Sequence, residues 1–272
     1  MYPMQFSGSP EQVVAAYRVW VADPQRGTGF FRGLAEVLVE QGKTEEAITV
    51  YREAMTRKGG EKHLYRLSEL LVEAKQPDEA IKLYQQAIAK NPKEIEPRES
   101  LAKLYGEAGK SAERLAALNE VVSLYLEQIN KRPNEADLKY DLAQVYYLQL
   151  GRKDEARKLY GDWINSSRDS NSLNAFAMVF AAHNKPENCE ADLAIKAATR
   201  ACELTDYANY DCLDTLATAY AAKGDFETAV KWQLKAIEAF DDKNQLAEFE
   251  SRLELFREKK TVPPSKLGND GP

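Results

Sequence analysis

Few side chains in this chain stand in patterns that do covalent or metal chemistry. His63 and His183 are the only histidines, and neither has a second ligand three or four residues on. Zinc hydrolysis or a Ser-His-Asp relay needs that company, so both read as surface or packing residues. Gly106-Glu107-Ala108-Gly109-Lys110-Ser111 ends like a phosphate-binding loop, but Leu104 stands where the first glycine belongs, and no strand pattern precedes it. Gly27-Thr28-Gly29 followed by Gly33 misses the dinucleotide spacing as well. Cys189, Cys202 and Cys212 are odd in number, without a Cys-x2-Cys pair. They read as small buried thiols, with a Cys202–Cys212 bridge left open for an exported chain. The carboxylate pairs Glu45-Glu46 and Asp154-Glu155 fall where helices begin and there complement the helix dipole. Asn165-Ser166-Ser167 fits a glycosylation sequon, which has no meaning in a cytoplasmic chain. No catalytic residue, metal site or cofactor is expected, and the chain is expected not to be an enzyme.

Composition narrows the partner. With 44% hydrophobic and 29% charged residues in 272, the chain has the make-up of a folded protein. A net charge of −6 argues against a nucleic-acid backbone as ligand, which calls for a basic stripe. The tyrosines are not interleaved with basic residues, as an aromatic nucleic-acid platform would require. No apolar run approaches the ~20 residues of a membrane span, so no membrane insertion is expected. Residues 1–10 lack the basic region and apolar core of a signal peptide. The expected location is cytoplasmic. A piece trimmed from a longer or exported protein would read the same, so a periplasmic location stays open.

Spacing along the chain calls for helices throughout. Leu64-x2-Leu67-Ser68-x2-Leu71 puts large residues on one helical face beside a small one, and Ala80-x3-Tyr84 with Ala87 repeats this on a second helix, before Pro92. The same order recurs as Phe31-x2-Leu34-Ala35-x2-Leu38 with Ala47-x3-Tyr51, and as Leu142-Ala143-x2-Tyr146 with Ala156-x3-Tyr160. Leu213-x2-Leu216-Ala217-x2-Tyr220 with Ala229 gives it once more. Two copies are irregular. In one, Leu101-Ala102-x2-Tyr105, Arg114 occupies the small position and no Gly or Pro interrupts the stretch from Ala112 to Lys131. That overlong helix is the expected place for a kink. The other, Leu173-x2-Phe176-Ala177-x2-Phe180, carries about five extra residues around 184–188. The copy at Leu142 has one extra residue before Gly151.

This pattern resembles the tetratricopeptide repeat, a pair of antiparallel helices in about 34 residues, over roughly residues 28–243. Leu213 to Phe226 and Arg252 to Phe256 look like the ends of such regions in large bacterial proteins. The resemblance implies an all-α, right-handed α-solenoid of about six helix pairs with N-terminal and C-terminal capping helices. Repeats are expected near 28–60, 61–94, 95–131, 136–168, 170–206 and 210–243. A capping helix falls within 1–27, opened by Ser9-Pro10-Glu11-Gln12 as a capping box. A second, carrying Leu246, Phe249, Leu253 and Phe256, falls within 244–260, and 261–272 is a loose tail. Gly42 suits a left-handed helix end, and Thr44 is expected to cap the next helix.

Function follows from the resemblance alone. In this family the first helices of successive repeats line a concave groove that holds an extended peptide or a partner helix. The matching positions here are Arg32, Lys62 and Arg66 in the first repeats, and Tyr140, Asp141, Gln144, Tyr147, Met178 and Asp214 in the later ones. Lys62 and Arg66 have the spacing of a carboxylate clamp, but Glu36 stands where that clamp has Asn. The later positions hold no Lys or Arg, so a segment with apolar anchors flanked by Lys or Arg suits them. The expected function is a non-catalytic adaptor or scaffold with a protein or peptide partner. The alternative is a regulatory region of a longer protein whose catalytic domain lies elsewhere.

Overall fold

The computed structural model describes residues 9–23, 27–181, 190–240 and 246–263, and these form fourteen α-helices with no strand among them. The chain divides into two compact units, Met1–Leu124 and Tyr125–Pro272. The division falls inside α7 (Ser111–Lys131), the long uninterrupted helix of the irregular third copy.

In the first unit α1 (Pro10–Val21) precedes the pairs α2 (Gly29–Glu40) with α3 (Thr44–Met55) and α4 (Leu64–Glu73) with α5 (Pro77–Lys90). The helix α6 (Glu96–Glu107) and the first part of α7 follow. Ser9 and Gln12 close the capping box of α1, with Pro10 at its first position, as the sequence requires. α1 lies close on α2 because Gly33 has no side chain: a Cβ there would stand 2.5 Å from the Tyr17 ring. The Arg57 guanidinium then donates to the Val21 and Asp23 carbonyls at 2.8 and 3.1 Å, satisfying the end of α1. Ala35, Ala47 and Ala80 are fully buried where helices cross, and such crossings leave no room for larger groups.

Two local expectations change. Thr44 does not cap α3; it is the first helical residue, and Lys43 fills the cap position without a side-chain hydrogen bond. Arg114 breaks the small-residue pattern without breaking the pair, because it lies over Gly106, where a Cβ would stand 3.1 Å from its Cδ.

The second unit holds the rest of α7, then α8 (Ala136–Gln144) with α9 (Lys153–Ser166), α10 (Ser170–Ala181) with α11 (Ala191–Leu204), and α12 (Tyr210–Ala222) with α13 (Phe226–Ala239). α14 (Ala247–Arg257) packs on α13 and buries Phe249, Leu253 and Phe256. Helix breaks within pairs use positive φ at Gly42, Gly109, Gly151 and Gly224, a conformation that glycine adopts without the steric cost of a side chain. Lys75 takes the same slot with φ 60°. The extra residue before Gly151 is absorbed by a π-helical turn, Val145–Gln149, directly after α8. Val262, expected in a loose tail, is buried against Ala217, Ala221, Ala229 and Phe256. Cys202 and Cys212 are buried free thiols, and burial pushes the Cys202 thiol up to about 12. Cys189, His183 and the extra residues near 184–188 lie outside the described residues.

Candidate functional site

Each unit presents its own first-helix face. In the first, α2 and α4 are joined by a charged knot around Arg66. Its guanidinium donates to both carboxylate oxygens of Glu36, at 3.0 and 3.1 Å, and to Glu69 at 3.1 Å. Glu73 lies 3.8 Å away. The Tyr51 hydroxyl donates to Glu36 at 2.7 Å. The Arg66 bond holds the Glu36 carboxyl below the usual range, and burial beside Glu36 raises the Tyr51 phenol. Arg66 is thus already engaged by the protein's own carboxylates. Arg32 and Lys62 are exposed beside it. His63 is buried, its Nε2 lies 3.1 Å from the Thr28 carbonyl, and burial lowers its pKa. It is a packing residue.

The face of α8 and α10 is built differently. Tyr140 is half-buried, its ring 4.8 Å from Trp163, and its hydroxyl accepts from Gln144 Nε2 at 2.7 Å. Gln144 follows the small residue Ala143 as Glu36 follows Ala35, so a neutral amide stands where the first unit has a carboxylate. Tyr160 matches Tyr51 in the motif, yet its hydroxyl is buried with no hydrogen-bond partner. Asp141 is half-buried. Burial and the nearby Asp137 hold its carboxyl above the usual range. Met178 is half-buried, and Ala175 and Leu148 are exposed.

Two expected groove residues are elsewhere. Tyr147 is not on an open floor: the π turn directs its ring into the core, 5.4 Å from Phe180, and its hydroxyl donates to Glu190 at 3.2 Å. Asp214 is not on an acidic rim: it is 3% exposed, accepts from Gln233 at 2.7 Å and pairs with Arg252 of α14. Burial raises its carboxyl pKa against the pull of Arg252. Nothing in the spacing of α12 announces this, because the covering arginine comes from the last helix. An open hollow of about 340 Å³ beside α6 and α7 is lined by Arg98, Asn119, Glu120 and neighbours. It includes none of the groove residues. Its Arg98 is occupied by Glu120 and the Glu94 carbonyl.

Among the described residues no group of three or more His, Cys, Asp or Glu side chains could hold a metal ion. No described helix is long and apolar enough to cross a membrane.

Three tetratricopeptide repeat family models match residues 38–104, 100–170 and 211–239, together more than half of the chain. The chain belongs to the tetratricopeptide repeat family. Protein–protein interaction is typical of that family, and the chain is an all-α solenoid of its kind. Among solved structures it is similar to the C-terminal part of a repeat-containing protein from Cytophaga hutchinsonii, at 15% identity and TM-score 0.51, over 93% of this chain and 95% of that one. A tetratricopeptide repeat protein from Parabacteroides merdae is 18% identical over 92% of this chain and 91% of its own, with TM-score 0.42. Yeast Tom70 is 15% identical over 86% of this chain and 47% of its own, with TM-score 0.48. No curated protein matches the chain.

Proposed function

We propose that this protein is a non-catalytic interaction module whose binding face is that of α8 and α10, and that its partner is a segment carrying Lys or Arg beside an apolar anchor. The observation that carries the reading is the contrast in charge. On the α2–α4 face the arginine already has its carboxylates. On the α8–α10 face Asp141 is half-buried next to Asp137, with no cation among the neighbouring groove residues Tyr140, Gln144, Asn171, Asn174, Ala175 and Met178. A carboxylate partly withdrawn from water beside a like charge gains from an incoming cation. Gln144, Ala175 and Met178 supply a neutral floor for the anchor.

The test uses two labelled synthetic peptides of equal length, one with Lys and Arg flanking Leu, the other with Glu flanking Leu. Anisotropy titration should show binding of the basic peptide alone, weakening as salt rises. Asp137→Lys with Asp141→Lys should abolish it, while Arg32→Glu with Lys62→Glu should leave it intact. The opposite pattern would move the site to α2 and α4.

A further inference from the structure

Cys202 and Cys212 stand level with each other across the link between α11 and α12. Cys202 lies two residues before Leu204, the last of α11, and Cys212 two residues after Tyr210, the first of α12. The two helices pack together, and both cysteines are buried, at 0% and 2% exposure. Thr205 joins them. Its hydroxyl donates to the Cys202 carbonyl at 3.1 Å and is hydrogen-bonded to the Cys212 thiol, so one side chain touches both cysteines. The Tyr207 N–H closes the link onto the same Cys202 carbonyl at 2.8 Å, and the Asn209 side chain accepts from the Cys212 N–H at 3.1 Å. The closure is strained. Asp206 and Tyr207 hold φ of 49° and 57° in succession, a left-handed conformation that is costly for a bulky side chain.

We propose that Cys202 and Cys212 are a redox modification site, forming a reversible disulfide that clamps α11 to α12. In the reduced state burial raises both thiols, Cys202 to about 12, so neither is a nucleophile while the link is closed. The strained link supplies the gate, since opening at 206–207 relieves the left-handed pair and bares the sulfurs. The oxidant is a low-molecular-weight disulfide. One cysteine thiolate attacks it and releases one thiol, leaving a mixed disulfide. The other thiolate attacks the protein sulfur of that bond and expels the second thiol. One Sγ–Sγ bond forms as the oxidant's own disulfide breaks, and the two electrons and two protons that leave the chain end on the two released thiols. The bridge then fixes the junction between the successive pairs α10–α11 and α12–α13.

Incubating the folded full chain with oxidised glutathione at neutral pH tests this. Digestion before aspartates, which separates Cys202 from Cys212 at Asp206 and Asp211, should leave the two fragments joined and lighter by two hydrogens in non-reducing mass spectrometry. Dithiothreitol should part them. The rate of joining should level off at high glutathione disulfide, where opening of the link limits it. The oxidised chain should melt on the order of 5 °C above the reduced one, as closing a short loop by a disulfide stabilises. Cys202→Ala and Cys212→Ala each keep a small apolar side chain, and either should abolish the joined fragment and the shift. The fragment map of the wild type decides the matter even where a variant fails to fold. Separate fragments, Cys202 or Cys212 joined to Cys189, or glutathione adducts that never resolve would overturn the proposal. A rate proportional to glutathione disulfide throughout would overturn the gate.

Discussion

Tyr51 and Tyr160 occupy the same place in the same motif, and their hydroxyls meet opposite fates. Tyr51 donates to Glu36, which in turn grips Arg66. Tyr160 is equally buried and has no partner, because Gln144, which stands in the place of Glu36, turns to Tyr140. One first-helix face has closed its own polar network. The other has left its polar groups neutral or unpaired and its carboxylate without a counterion. In a repeat protein, where backbone geometry is nearly fixed by the small and large positions, this difference in side-chain bookkeeping is what the proposed placement of the binding face rests on.

The largest effect should come from a pair that is truly buried. Arg252→Ala leaves Asp214 enclosed and uncompensated, and should cost about 3–5 kcal/mol in urea unfolding. Arg66→Ala should cost about 1 kcal/mol or less, since its partners are partly exposed and screened. Equal losses would mean that the two ion pairs do not differ as their burial indicates. Next come the two phenols. Tyr51→Phe removes a hydrogen bond to a charged group and should cost about 1.5–3 kcal/mol, whereas Tyr160→Phe should be neutral or slightly stabilising. A loss at Tyr160 as large as that at Tyr51 would reveal a partner for its hydroxyl and erase the comparison.

The smallest effects are in pH dependence, and their signs differ. Glu36 is lowered by Arg66, so its contribution is present above the ordinary carboxylate pKa and lost as pH falls through the lowered one. Glu36→Gln should therefore melt below the wild type at pH 7 and converge with it in acid. Asp141 is raised by burial and Asp137, so its charged form is the disfavoured one in the folded state. Its contribution is present at low pH and lost as pH rises through the raised value. Asp141→Asn should melt above the wild type at pH 7 and converge with it at pH 3. The same sign for both variants would undo the electrostatic half of the contrast.

Much of the fold was legible because its determinants are local. Ser9, Pro10 and Gln12 announce the start of α1, and the small residues Ala35, Ala47 and Ala80 mark the crossings. The extra residue before Gly151 was countable, but whether a chain absorbs one residue by a loop or a π turn depends on what the turn can pack. Tyr147 settles it by filling the space beside Phe180. Arg114 read as a flaw until Gly106, eight residues earlier, is seen beneath it. The site was less legible. Position on the repeat tells which residues lie on a first-helix face, but not which are already taken. Arg66 is taken by Glu36, and Asp214 by Arg252 from thirty-eight residues later.

The central claim is that the partner occupies α8 and α10, not α2 and α4. Amide hydrogen exchange measured by mass spectrometry, with and without a saturating concentration of the synthetic peptide in which Lys and Arg flank Leu, tests it most directly. Protection should rise across residues 137–148 and 171–178 and stay unchanged across 29–40 and 64–73. Protection gained at 29–40 and 64–73, with 137–148 unaffected, would contradict the account.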